Sequence, residues 1–120
     1  MRVLIVEDYR RAANVLDAIL SAEGYTATIC GTVTDALTEL RAGRFDLVLL
    51  DIGLPGIDGW TALRIFRGLP GMPPVVVVSG QLDSPGGDTV KAISLGASAC
   101  VEKPFSFEEL IRVVEEVLAR

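Results

Sequence analysis

Four short apolar runs, far apart in the chain, each stop at a polar residue, and this limits the fold more than any other feature. Val3-Leu4-Ile5-Val6 runs into Glu7 and Asp8, and Leu47-Val48-Leu49-Leu50 into Asp51. Val75-Val76-Val77-Val78 runs into Ser79, and Ala99-Cys100-Val101 towards Lys103 and Pro104. Runs of this length without a polar interruption are what strands buried on both faces require, and such strands belong to parallel sheets covered by helices on both sides. Segments of helical spacing lie between them. Ala12, Val15, Leu16, Ile19 and Leu20 fall at i, i+3, i+4, i+7 and i+8, and Val33, Ala36, Leu37 and Leu40 repeat the start of that pattern. Both segments end near a glycine, Gly24 and Gly43, where a left-handed C-cap is wanted. The spacing predicts a third helix over about residues 59–69, stopped by Pro70-Gly71, and a fourth over about 88–95. A fifth opens on a capping box of Ser106 and Glu109 and carries Leu110, Val113, Val114, Val117 and Leu118 as its apolar stripe.

Strand and helix thus alternate five times, the pattern of an α/β fold: one doubly wound domain over residues 1–120. Tyr25-Thr26-Ala27-Thr28-Ile29 alternates instead of being apolar throughout, as an edge strand with one wetter face does. A parallel five-stranded sheet of order 2-1-3-4-5 satisfies these patterns with right-handed crossovers. That order puts Asp8 and Asp51 at the topological switch point, on the carboxyl edge where open α/β sheets bind ligands. It also sets Cys30 and Cys100 on opposite edges, ~19 Å apart, too far for a disulfide. Buried thiols in a reducing compartment are the expectation.

Composition excludes several classes of function. With 16 acidic and 11 basic residues the formal charge is −5, which disfavours nucleic-acid binding by this chain. Histidine is absent, which removes the usual general base, the commonest zinc ligand and any histidine-borne phosphate. The longest apolar runs fall far short of the ~20 residues of a membrane span, and Met1-Arg2-Val3 leads straight into a strand pattern, so a cytoplasmic protein with no membrane partner is expected. There is neither a Gly-x-Gly-x-x-Gly after the first strand nor a Gly-x-x-x-x-Gly-Lys loop, which sets nucleotide binding aside.

Taken singly, each strand-end residue has an ordinary reading. Acids after a strand often favour the positive start of the next helix, and Asp or Ser beside glycine is turn chemistry. Their joint placement is the signal, because compatible groups from four strand ends converge on one crevice. Three carboxylates there repel one another, at ~3 kcal/mol per pair for charges ~5 Å apart at an effective dielectric near 20. Lys103 offsets part of this. A hard cation taking oxygen ligands and keeping several waters, Mg²⁺ above all or Mn²⁺, offsets the rest.

The chain resembles the receiver domains of two-component phosphorelay response regulators, of the CheY-like kind, along its whole length. The matching motifs are Val-Leu-Ile-Val-Glu-Asp at 3–8, Asp-Leu-Val-Leu-Leu-Asp-Ile-Gly-Leu-Pro-Gly-Ile-Asp-Gly at 46–59, Val-Val-Ser-Gly at 77–80, Gly-Ala at 96–97 and Lys-Pro-Phe at 103–105. The resemblance implies a flavodoxin-like (βα)5 fold and a signalling switch rather than an enzyme. It implies Asp51 as phosphoacceptor, and Glu7, Asp8, Asp51 and the Gly53 carbonyl as Mg²⁺ ligands. Ser79 and Lys103 would bind the phosphoryl oxygens, a cis bond would join Lys103 to Pro104, and Gly53 and Gln81 would tune dephosphorylation.

Implied partners are a sensor histidine kinase or histidine phosphotransfer protein and a downstream output domain or protein. A homodimer would use the face of the fourth helix, fifth strand and fifth helix. The chain departs from the family at Cys100, where receivers commonly carry an aromatic switch residue in concert with Ser79 and the Pro104 region, and residues 83–87 make a loop about two residues longer than usual. Trp60 at the start of the third helix is expected to lie on the surface of its own helix rather than to serve as a partner anchor, and Phe107 to pack inward with Leu110 and Val114, although Phe105 and Phe107 could together form an output surface. Two other functions stay open at this stage. One is a constitutive interaction module independent of phosphate. The other is a phosphatase with an aspartyl nucleophile, disfavoured because Gly53 stands where such enzymes need a second acid.

Overall fold

Strands that are apolar on both faces need a helical layer on each side, and the chain supplies both. The computed structural model describes residues 1–53, 58–80 and 87–120. Five strands, β1 (Arg2–Val6), β2 (Thr26–Cys30), β3 (Leu47–Asp51), β4 (Val75–Ser79) and β5 (Ala99–Glu102), alternate with α1 (Arg10–Ala22), α2 (Val33–Ala42), α3 (Gly59–Arg67), α4 (Gly87–Ser94) and α5 (Phe107–Leu118). All neighbours pair in parallel in the order β2-β1-β3-β4-β5, as the sequence pattern predicts.

Because side chains alternate along a strand, each strand feeds two cores. Leu4, Val6, Val48, Leu50, Val75 and Val77 point to the layer of α2, α3 and α4, where Ala36, Leu63, Phe66 and Ala92 meet them. Val3, Ile5, Leu47, Leu49, Val76 and Val78 point to α1 and α5, against Leu16, Leu20, Leu110 and Val114. Three helices start on a side-chain cap. Thr32 accepts from the Asp35 amide at 3.1 Å, Asp58 from Thr61 at 2.9 Å and Ser106 from Glu109 at 3.1 Å, the last being the forward half of the expected capping box.

Several local expectations need correction. The buried face of α1 is centred on Ala13, Leu16 and Leu20, and Val15 is 52% exposed. Leu16, Ile19 and Leu20 of the predicted stripe are buried, so docking against β1 and β2 turns the helix from it by only about 40°, well under one residue's 100°. Gly24 is left-handed as predicted (φ 89°), whereas Gly43 leaves α2 extended (φ −151°). A Cβ at Gly43 would lie 3.0 Å from the end of the Arg2 side chain, which is flexible and can yield, so the position does not depend on a positive φ. Helix α3 stops at Arg67, two residues short, with the Gly68 amide bonded to the Arg64 and Ile65 carbonyls.

Phe107 is 65% exposed. As the first residue of α5 its ring leans back beyond the start of the helix, where there is no preceding turn to cover it. Phe105 is the aromatic that packs partly buried against the α1/α5 core. Cys30 and Cys100 are free thiols on the two edge strands, with no bond between them. The long loop expected at 83–87 lies outside the described residues except for Gly87.

Gly59 opens α3 against the chain just after β3: its amide donates to the Ile52 carbonyl at 2.9 Å, and a Cβ here would overlap the Ile52 backbone. Gly59→Ala is therefore expected to lower stability by more than ~2 kcal/mol, since neither backbone can yield cheaply. Gly31→Ala, whose nearest neighbour would be the Asp8 Cα at 4.0 Å, is expected to change it by under ~1 kcal/mol. Urea denaturation of the two variants beside the parent measures both.

Candidate functional site

The register of the central strands decides what meets at the carboxyl edge. Val6 pairs with Leu50, so the chain leaving β1 through Glu7 and Asp8 runs beside Asp51 at the end of β3. Asp51 pairs with Val78 and Ser79 with Glu102, which brings the ends of β4 and β5 to the same edge. Carboxylate oxygens of Glu7, Asp8 and Asp51 lie within 4.8 Å of one another. Asp51 also lines a cavity of about 410 Å³ with Ile52, Gly53, Trp60, Ser79, Gly80, Asp88 and Lys103. Of the five chemically competent residues singled out in the sequence, Asp51, Ser79 and Lys103 thus line one pocket, and Glu7 and Asp8 lie beside Asp51.

Burial differs across the set. Glu7 is 4% exposed and Ser79 fully buried, whereas Asp8 is open to solvent and Asp51 half-buried. The Gly53 amide donates to Asp51 Oδ1 at 3.1 Å, fixing one carboxylate oxygen. The Lys103 amide donates to the Ser79 carbonyl at 2.6 Å, which ties the chain leaving β5 to β4 and carries the Lys103 side chain over the pocket. The bond between Lys103 and Pro104 is cis. Cys100 is half-buried on the α4 side of the sheet, where burial raises its thiol above the usual range. Gln81 lies outside the described residues.

Two residues of the pocket escape the sequence reading. Ser79 Oγ donates to Asp88 Oδ2 in the first turn of α4, although an acid at a helix start reads as nothing more than a partner for the helix dipole. Trp60 does not lie out on the surface as expected. It is half-buried, packs against the α2–α4 core and lines the pocket, with Lys91 Nζ 4.6 Å from its ring centroid. A larger groove of about 810 Å³ between α1 and α5 is floored by Ala18, Ile19, Phe107 and Ile111 and carries none of the strand-end acids.

Burial, then the hydrogen bond and negative charge of Asp51, push the Glu7 carboxyl up to about 8; Lys103 and the Tyr9 amide pull the other way. The folded protein without metal therefore holds a proton that the unfolded chain releases near its ordinary value of 4.5. Between those limits the unfolded state binds fewer protons, so stability falls as pH rises. With a chelator present, the urea midpoint is expected to drop between about pH 5 and pH 8, and Glu7→Gln to flatten that slope. In the same metal-free protein, Asp51→Asn or Asp8→Asn is expected to raise stability by ~1–3 kcal/mol, most at the alkaline end where Glu7 is ionised.

The chain matches the response regulator receiver domain family over residues 3–115. It is 38% identical over 116 residues to the uncharacterized transcriptional regulatory protein YkoG of Bacillus subtilis, covering 97% of this chain and 50% of that protein. It is 37% identical over 119 residues to the DNA-binding response regulator MtrA of Mycobacterium tuberculosis, covering 99% and 51%. The chain thus spans about half the length of these curated relatives. A putative response regulator from Chloroflexus aurantiacus superposes with a TM-score of 0.91 at 30% identity, covering 99% of this chain and 98% of that one. The receiver domain of the Francisella response regulator 1452 does so with 0.89 at 27%, covering 99% and 97%. Sheet order, strand-end chemistry and these likenesses agree, and the chain belongs to the response regulator receiver domain family.

Proposed function

We propose that Asp51 accepts a phosphoryl group from the phosphohistidine of a partner, a sensor histidine kinase or a histidine phosphotransfer protein. Glu7, Asp8, Asp51 and the Gly53 carbonyl would hold Mg²⁺ or Mn²⁺ for the transfer. One observation carries the reading: Asp51, whose carboxylate has oxygens of Glu7 and Asp8 within 4.8 Å, lines a cavity together with Lys103 and Ser79. The donor set consists of oxygens from acids, one buried and one open to water, which suits a hard cation that keeps part of its hydration shell. Such a cation supplies the positive charge that lets a carboxylate approach an anionic phosphoryl group.

The chain's own residues do the rest by position and charge. Asp51, steadied by the Gly53 amide on Oδ1, is placed to act as the nucleophile. One of its oxygens forms the new P–O bond while the P–N bond to the partner's imidazole breaks, and that electron pair returns to the ring nitrogen. The Lys103 ammonium and the Ser79 hydroxyl donate to the phosphoryl oxygens, where negative charge accumulates. Gly53 places no side chain over the product, and with Gln81 it is a position that sets how readily water reaches the acyl phosphate.

The resulting switch acts by redistributing two packings of the segment from Ser79 through α4 and β5, with Cys100 and Pro104 at its margin. The partners' side would be an output domain or protein, or a second copy, on the α4–β5–α5 face. Since the relatives named as DNA-binding regulators are about twice as long, a DNA-binding output beyond the receiver is the arrangement proposed for the full protein. No helix among the described residues is long and apolar enough to cross a membrane, which fits a cytoplasmic site of action.

Intact mass after incubation with a small phosphoramidate and Mg²⁺ is the test. The parent is expected to gain one phosphoryl group and Asp51→Asn none; equal labelling of the two would remove Asp51 as acceptor. Lys103→Met is expected to slow labelling by roughly 100-fold through loss of charge on the phosphoryl oxygens.

A further inference from the structure

Helix α4 is held to the sheet by little apolar contact. Ala92 is its one buried residue, while Val90 and Ile93 are 71% and 48% exposed. By contrast α1 and α3 each bury four residues, so they carry far more of the area that fixes a helix in place. Among the described residues, a set of directional contacts in its first and last turns helps to position α4. Asp88 accepts a hydrogen bond from Ser79 Oγ at the end of β4. Thr89 Oγ1 donates to Glu102 Oε2 at the end of β5, at 3.2 Å. Lys91 Nζ lies 4.6 Å from the centroid of the Trp60 ring at the start of α3.

Ser79, Asp88 and Trp60 line the same cavity as Asp51 and Lys103. An anionic oxygen belonging to α4 therefore sits on the hydroxyl assigned above to the phosphoryl group, inside the space that group would enter. We propose that Asp88 is an intramolecular competitor of the phosphoryl group: it occupies Ser79 and pins the start of α4 until phosphorylation of Asp51 displaces it and frees the helix. The proposal rests on Asp51 being the phosphoacceptor.

Two physical effects drive the exchange in one direction. A serine hydroxyl has a single proton to donate, and Ser79 is fully buried, so its donation to a phosphoryl oxygen comes at the expense of Asp88. The phosphoryl group also brings negative charge into the pocket, which repels the Asp88 carboxylate as it takes the proton from it. Losing Asp88 loosens the first turn of α4, a helix whose other polar contacts with its neighbours, among the described residues, are those of Thr89 and Lys91. Cys100 has no ring to move, and this route from Ser79 to α4 requires none.

Trp60 is the sole tryptophan of the chain, so its fluorescence reports on Lys91 and hence on α4. The probe is beryllofluoride with saturating Mg²⁺, a stable mimic of a phosphoryl group on a carboxylate. Binding would be measured for the parent, Asp88→Ala and Asp88→Asn, and again for each in a Ser79→Ala background. Asp88→Ala is expected to bind about tenfold tighter than the parent, Asp88→Asn by a smaller factor, and each gain to shrink to about twofold or less without the Ser79 hydroxyl. Iodide quenching of Trp60 in ligand-free Asp88→Ala is expected to match that of the beryllofluoride-bound parent.

Equal gains with and without Ser79 would mean that Asp88 acts only through its charge, and would overturn the competition. So would unchanged affinity in both Asp88 variants while the parent binds normally. A parent that binds no beryllofluoride would instead overturn the assignment of Asp51, and this proposal with it. Asp88→Asn keeps the acidic residue's shape at the helix start, and serves if Asp88→Ala loses α4.

Discussion

Mutual repulsion among Glu7, Asp8 and Asp51 is the constraint around which the rest of this structure is arranged. Their oxygens lie within 4.8 Å of one another at the end of two buried strands, and one of the three is almost wholly removed from water. Without metal the cluster relieves itself by keeping a proton on Glu7, which burial and Asp51 together raise to about 8. A fold that tolerates such a cluster gives up stability for it, in the way strained or charged groups gather at functional sites. The receiver family to which the chain belongs makes that cost intelligible: the proposed cation turns the repulsion into affinity.

The two apolar cores make the cluster rigid. Strands β1 and β3 are fully buried over Val3 to Val6 and nearly so over Leu47 to Leu50, so the residues that follow them start from fixed points. Gly59 pressed against Ile52 and the Gly53 amide on Asp51 then shape the chain just beyond β3. The other wall is built less firmly. Ser79 ends a fully buried strand, yet its hydroxyl reaches α4, a helix with one buried residue. A rigid acidic side facing a weakly anchored helix is an arrangement in which a charge placed at Asp51 can move something.

The sheet order was legible because apolarity on both faces marks β1, β3 and β4 as central and the alternation of residues 25–29 marks β2 as an edge. The strand-end residues were legible for the same reason, since in a parallel sheet the end of an apolar run is a position in space. What the pattern missed depends on how separate elements dock. Val15 faces solvent because α1 is set by its contacts with the sheet, and Phe107 is exposed because nothing precedes it on α5. Gly43 leaves α2 in extended backbone rather than in a left-handed turn. Asp88 and Trp60 belong to helix starts, where an acid and an aromatic have commonplace explanations, and only the contacts with Ser79 and Lys91 give them another.

Glu7, Asp8 and Asp51 stand together as one proposed cation site. Calorimetric titration of the chain with Mg²⁺ near neutral pH tests it most directly, with the Asp8→Asn/Asp51→Asn double variant alongside. A single saturable site is expected in the parent and no measurable binding in the double variant. Equal binding by both proteins, or none by the parent, would contradict it.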